Sequence, residues 1–126
     1  MITFGEIFFC EKVILNPDGS PLSYVNRFTN VKSDFYPYFF GCNVVINFTH
    51  SEALHSLLSL RIKNFDAVTI FESNPDLLRS NRPPRAKGKV GMHISLDRIE
   101  IPEPGNYTVE ILLNDIVKHT EHLSFA

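Results

Sequence analysis

Few residues of this chain combine the types and spacing that chemistry requires. His50-x-Glu52-x-x-His55 gathers three potential metal ligands within six positions. A short helical turn capped by Ser51 would put Glu52 and His55 on one side. That spacing matches no zinc signature, and no cysteine or second histidine pair lies nearby in sequence. A metal-dependent enzyme with a dispersed site on His50, Glu52 and His55 is therefore the remotest reading, and exposed loop histidines are the simpler one. His119-x-x-His122 falls in the predicted last strand, where a spacing of three puts two imidazoles on opposite faces. They read as surface residues. No Gly-x-Ser-x-Gly elbow and no glycine-rich phosphate loop exist, because the six glycines are scattered. Acids are dispersed too, so no carboxylate pair suggests itself. No catalytic residue, metal or cofactor is expected, and the chain reads as a protein that is not an enzyme.

Two segments suggest binding instead. Arg79, Arg82, Arg85, Lys87 and Lys89 place five cations within 11 residues around Pro83-Pro84. Such a run suits an anion: a nucleotide, a phosphorylated group or an acidic protein tail. It lacks the interleaved aromatics of a nucleic-acid reader, so nucleic acid is not expected. A solvated loop is its plain alternative. Phe35-Tyr36-Pro37-Tyr38-Phe39-Phe40 is dense in aromatic residues. If buried, the stretch is core filler between the two sheets; but six consecutive residues cannot all face inward, so Phe35, Tyr36, Tyr38, Phe39 and Phe40 are candidate contacts for a protein partner or a second copy. Any small-molecule ligand is left open.

Composition sets the outer limits. The chain has 126 residues, of which 44% are apolar and 21% charged, with a formal net charge of -2. One domain over 1–126 with an ordinary core is expected, and nothing in the balance draws it to nucleic acid or an anionic membrane. No apolar run is long enough for a transmembrane helix. The start, Met1 to Glu6, lacks the basic region of a signal peptide, so cytoplasmic residence is expected. Cys10 and Cys42 read as reduced, buried thiols. A bridge between them is the alternative. Asn47-Phe48-Thr49 and Asn106-Tyr107-Thr108 match the glycosylation pattern but lie within predicted strands.

The elements around these residues are almost all strands. Residues 2–10 are apolar on both faces, so this strand is either covered on both sides or shifts face at Gly5 through a bulge. Asn16-Pro17-Asp18-Gly19-Ser20-Pro21 is the strongest turn signal, and Leu22 to Phe28 should return as its hairpin partner. Tyr38 to His50 carries Cys42, Val44, Ile46 and Phe48 on one face. Leu58, Leu60 and Ile62 alternate with Ser59, Arg61 and Lys63, and a short strand follows at 68–72. Ser73 to Lys87 reads as a loop. Val90, Met92, Ile94 and Leu96 alternate, as do Tyr107, Val109, Ile111 and Leu113 after the Pro-Gly corner. Leu123 and Phe125 point inward in the closing strand. About seven to nine strands without a long helix specify an all-β, antiparallel sandwich or barrel.

Cys10-Glu11-Lys12-Val13-Ile14-Leu15-Asn16-Pro17-Asp18-Gly19 and Ile101-Pro102-Glu103-Pro104-Gly105-Asn106-Tyr107, with the following Asn-Asp turn, resemble the landmarks of a family of small bacterial β-sandwich proteins, an uncharacterised domain of unknown function of about this length. Pro-Gly-x-Tyr also occurs in immunoglobulin-like sandwiches. The resemblance implies a bacterial setting and a sandwich fold, and it carries over no catalytic residue. The reading is thus an immunoglobulin-like antiparallel β-sandwich that serves as a non-catalytic protein-interaction or structural module. Anion or phosphate-group binding through loop 79–89 is the alternative.

Overall fold

Alternating apolar residues stack two sheets against each other in the computed structural model, which describes residues 2–19, 21–51, 54–79 and 88–126. Ten strands lie among them: β1 (Ile2–Leu15), β2 (Pro21–Phe28), β3 (Asn30–Val31), β4 (Tyr38–His50), β5 (His55–Lys63), β6 (Thr69–Glu72), β7 (Asp76–Arg79), β8 (Gly88–Ile101), β9 (Gly105–Leu113) and β10 (Ile116–Phe125). One sheet has the order β2-β1-β4-β8. The other has the order β3-β10-β9-β5-β6, with β7 also on β5. All pairings are antiparallel except that of β3 with β10. The chain passes from the first sheet to the second between Phe28 and Asn30. Among the described residues no helix is long and apolar enough to cross a membrane.

Register decides which side chains meet between the sheets. Phe4 pairs with Phe48 and Ile7 with Ile46, so Gly5 and Glu6 together oppose Asn47. Of the two alternatives for this strand, the bulge at Gly5 is present, and it returns both Phe4 and Ile7 to the inner face. From β4, Phe40, Cys42, Val44, Ile46 and Phe48 point into the core. Leu58, Leu60 and Ile62 of β5 and Tyr107, Val109, Ile111 and Leu113 of β9 face them. Met92 and Ile94 of β8 are only partly buried, and Leu96, Ile99 and Ile101 complete that strand's inner side. A second, small cluster of Phe8, Cys10 and Val45 lies apart from this core. Arg27 closes it, with its guanidinium 3.8 Å from the Phe8 ring centre and an ion pair to Glu6. The Tyr24 ring meets Phe8 edge-on at 5.0 Å.

The Pro-Gly corner is stabilised by its tyrosine. The Tyr107 hydroxyl donates a 2.6 Å hydrogen bond to the Glu103 carbonyl four residues upstream. This is the tyrosine-corner arrangement of immunoglobulin-like sandwiches. Gly105 has φ +150°, and a Cβ there would stand 2.7 Å from the Phe65 ring. Gly105→Ala is therefore expected to cost about 1–3 kcal/mol of stability in a urea titration, since this backbone region is nearly restricted to glycine. An unchanged midpoint would contradict that assignment.

Several local expectations need correction. Asp76–Arg79 forms β7 inside the expected loop, because His55 to Leu58 offer it a free edge. β8 runs to Ile101, well past Leu96. The expected helical turn after His50 falls partly on residues 52 and 53, outside the described residues; β5 has already begun at His55. His50 is buried at the inner end of β4, not exposed in a loop. His119 and His122 do take opposite faces, since His119 pairs with inward Ile111 and His122 with Thr108. His119 is half-buried, however, and bonds Glu121 at 2.8 Å.

Both cysteines are unbridged and buried. Cys42 belongs to the core and Cys10 to the separate cluster. Burial pushes the Cys42 thiol up to about 12, with Cys10 adding to the rise. Burial also raises Cys10, against the pull of the Lys12 backbone and the Arg27 charge. Thiolate is the reactive form. Ellman's reagent should thus label neither thiol in the folded chain near neutral pH and both in urea. Rapid native labelling would contradict the burial of these side chains.

The outer face of the second sheet carries an ion cluster. Arg61 bonds Glu110 at 2.8 Å, Lys63 approaches the same carboxylate at 3.4 Å, and Glu72 lies 3.9 Å from Arg61. Burial alone would raise the Glu110 carboxyl, but Arg61 and then Lys63 outweigh it and hold it below its ordinary 4.5. The unfolded chain takes up this proton more readily. Glu110 therefore contributes stability that is complete above the unfolded value and is lost as pH falls through the folded one. The urea midpoint should decline between about pH 5 and pH 3, and less steeply in Glu110→Gln. Equal slopes would remove Glu110 from the account.

Candidate interaction surface

At one end of the sandwich the first sheet splits. β1 pairs with β4 only as far as Cys10 and Asn43, whereas its ladder with β2 continues to Leu15 and Pro21. β4 runs back to Tyr38 along β8 alone. Residues 38–42 thus have β8 on one side and, among the described residues, no paired strand on the other. At the fork, Asn43 Nδ2 donates to the Glu11 carbonyl at 3.2 Å. Glu11, Phe28, Val31, Tyr38, Phe40 and Gly41 line the resulting cleft of about 480 Å³. The diverging hairpin exposes Leu15 and Leu22, the latter at 64%. Leu22 to Phe28 return along β1 as the expected hairpin partner. The divergence from β4 follows from length: the β1 run extends beyond the stretch of β4 that pairs with it.

The aromatic stretch lies at this same end, where the start of β4 meets the end of β8. Phe35 is 81% exposed and Phe39 53%. The Arg98 guanidinium sits 5.3 Å from the Phe39 ring centre, covering one face of it. Tyr36 and Tyr38 are half-buried, and the Tyr36 hydroxyl donates to the Ala126 carbonyl at 2.9 Å. Phe40 corrects the expected contact set. It is 3% exposed and meets Phe28 and Phe125 edge-on at 5.9 and 5.1 Å. Its phase along β4 is that of Cys42 and Val44, so it belongs to the core.

The other candidates that the structure describes lie away from this surface. Arg82, Arg85 and Lys87 of the basic run lie outside the described residues. Arg79 ends β7 and Lys89 lies in β8, where it pairs with Thr49. His50 and His55 reach a separate cleft at the opposite end, and Glu52 lies outside the described residues. Among the described residues no group of three or more His, Cys, Asp or Glu is placed to hold a metal ion.

No protein-family profile matches the chain, and no curated protein matches its sequence. Solved structures match in shape. An immunoglobulin-like protein from Pseudomonas aeruginosa superposes with a TM-score of 0.54 at 11% identity, covering 100% of this chain and 97% of that one. The Pseudomonas fluorescens alkylpurine DNA glycosylase AlkC, bound to DNA containing an abasic site analog, gives 0.52 at 9% identity. That match covers 95% of this chain but 30% of the glycosylase chain. These likenesses are of fold: the chain is an all-β, immunoglobulin-like antiparallel sandwich.

Proposed function

We propose that this chain is a non-catalytic protein-interaction module of the bacterial cytoplasm, and that it meets its partner through the end bearing Phe35, Phe39 and the diverging β1–β2 hairpin. One observation carries the reading: large apolar side chains, Phe35, Phe39, Leu15 and Leu22, are exposed together at one end. Aromatic side chains beside an arginine are typical anchors of protein interfaces. The unpaired side of residues 38–42 adds main-chain groups to which a partner strand can bond. Two unbridged cysteines suit a reducing compartment. The resemblance of segments 10–19 and 101–107 to small bacterial sandwich proteins supports the setting. Light scattering over a wide concentration range tests self-association. A mass that rises with concentration, and ceases to do so in Phe39→Ser, identifies a second copy as the partner. A constant monomer mass in both requires the partner to be a different protein.

A second reading assigns anion binding to residues 79–89. It rests on the five cations of that run. The occurrence of a similar sandwich within a DNA-bound glycosylase is compatible with it. Binding of a phosphorylated peptide or a nucleotide would then weaken steeply with salt, and would be lost in Arg82→Ala with Arg85→Ala. Affinity unchanged by salt or by those substitutions rejects it.

A further inference from the structure

We infer that the partner at the forked end of the sandwich is a second copy of this chain, held by reciprocal antiparallel pairing between residues 12–15 of one copy and residues 38–41 of the other. The inference rests on the reading of that end as the interaction surface, and it names the occupant. β1 and β4 keep one register from Ile7 opposite Ile46 to Cys10 opposite Asn43, and there the ladder stops. At the fork the Asn43 side chain takes the Glu11 carbonyl, so the open stretch of β1 begins at Lys12. Continued without a shift, the register would set Lys12 opposite Gly41 and Leu15 opposite Tyr38. The chain does not make these pairs with itself. Among the described residues, 12–15 pair with β2 alone and 38–41 with β8 alone. Each copy therefore carries two open main-chain edges of equal length and matching register.

A second copy covers both edges at once. Under a two-fold axis the β1 arm of each copy lies on the β4 arm of the other, and the same contact is made twice. A separate peptide strand would pair with one arm and leave the other open to water or to further strands. The side chains suit the pairing. Ile14 comes opposite Phe39, and both are exposed in the single chain. Aliphatic and aromatic residues facing each other across an antiparallel pair are mutually stabilising. Lys12 comes opposite Gly41, which has no side chain to crowd it. Leu15, also exposed, comes opposite the half-buried Tyr38. No like charges meet in this register.

Oxidative cross-linking of full-length variants tests the pairing. Ile14→Cys and Phe39→Cys each replace an exposed side chain, and the native Cys10 and Cys42 are buried. Opposed residues of an antiparallel pair stand about 4.5–5.5 Å apart at Cα, within the reach of a disulfide. An equimolar mixture of the two variants, oxidised with copper phenanthroline, should give a disulfide-linked dimer on a non-reducing gel. Either variant oxidised alone should give several-fold less, as should the mixture in urea. Light scattering of the wild type should show a mass rising towards that of a dimer. Ile14→Glu, which puts a charge opposite Phe39, should hold the mass at that of a monomer with an unchanged urea midpoint. No linked dimer in the mixture, equal linkage in the single variants, or an Ile14→Glu chain that associates as the wild type does would each overturn the proposal. A monomeric wild type that still captures another protein through Phe39 would also overturn it, and would leave the interaction surface standing.

Discussion

Phe125→Ala should lower the free energy of unfolding by about 3–5 kcal/mol, the usual range for deleting a buried phenyl ring. Phe125 is 2% exposed. Its ring meets Phe40 of the first sheet at 5.1 Å and Tyr107 of the second at 5.2 Å, both edge-on. Backbone pairing holds it in place, with Gly105 on one side and Val31 on the other. The Ala126 carbonyl beyond it accepts hydrogen bonds from the Ser33 amide and the Tyr36 hydroxyl. Removing the ring takes away contact area from both sheets at once and leaves a void between them. Urea denaturation followed by circular dichroism measures the loss. A cost below about 1 kcal/mol would mean that the C-terminal end of β10 is not part of the core.

Ile111→Ala should cost about 2–5 kcal/mol. Ile111 is fully buried at the middle of β9. It pairs with Leu60 on one side and His119 on the other, in the centre of the second sheet. The ladders on both sides restrain the backbone from closing over a vacated site, so the upper part of the range is expected. A cost under about 1 kcal/mol would reject the assignment of this face to the core. Exposed Phe39→Ser is the contrasting case and should change stability by no more than about 0.5 kcal/mol. Any effect of that substitution on association can then be assigned to the surface.

The inner faces of β4, β5 and β9 were legible because period-two alternation is undisturbed over Cys42 to Phe48, Leu58 to Ile62 and Tyr107 to Leu113. The Gly5 bulge was legible only as one of two alternatives, since apolar residues on both faces also suit a strand covered on both sides. Phe40 could have been assigned from the same alternation, by extending the phase of Cys42 one step back; the density of aromatic residues around Pro37 obscured it. β7 was not legible. Asp76 to Arg79 form a strand because the first half of β5 has an open edge, a fact of topology. The burial of His50 likewise depends on where β4 ends relative to Ile2 of β1. The cluster of Phe8, Cys10 and Val45 needs Arg27 to arrive from β2 and cover it.

Capture from extracts of the native cell, comparing the wild-type chain with Phe35→Ser combined with Phe39→Ser, tests the interaction surface most directly. The account predicts that whatever the wild type retains, another protein or untagged copies of itself, is lost by the variant while its urea midpoint is unchanged. Retention of the same proteins by both chains, or of none by either together with a constant monomer mass, would contradict it.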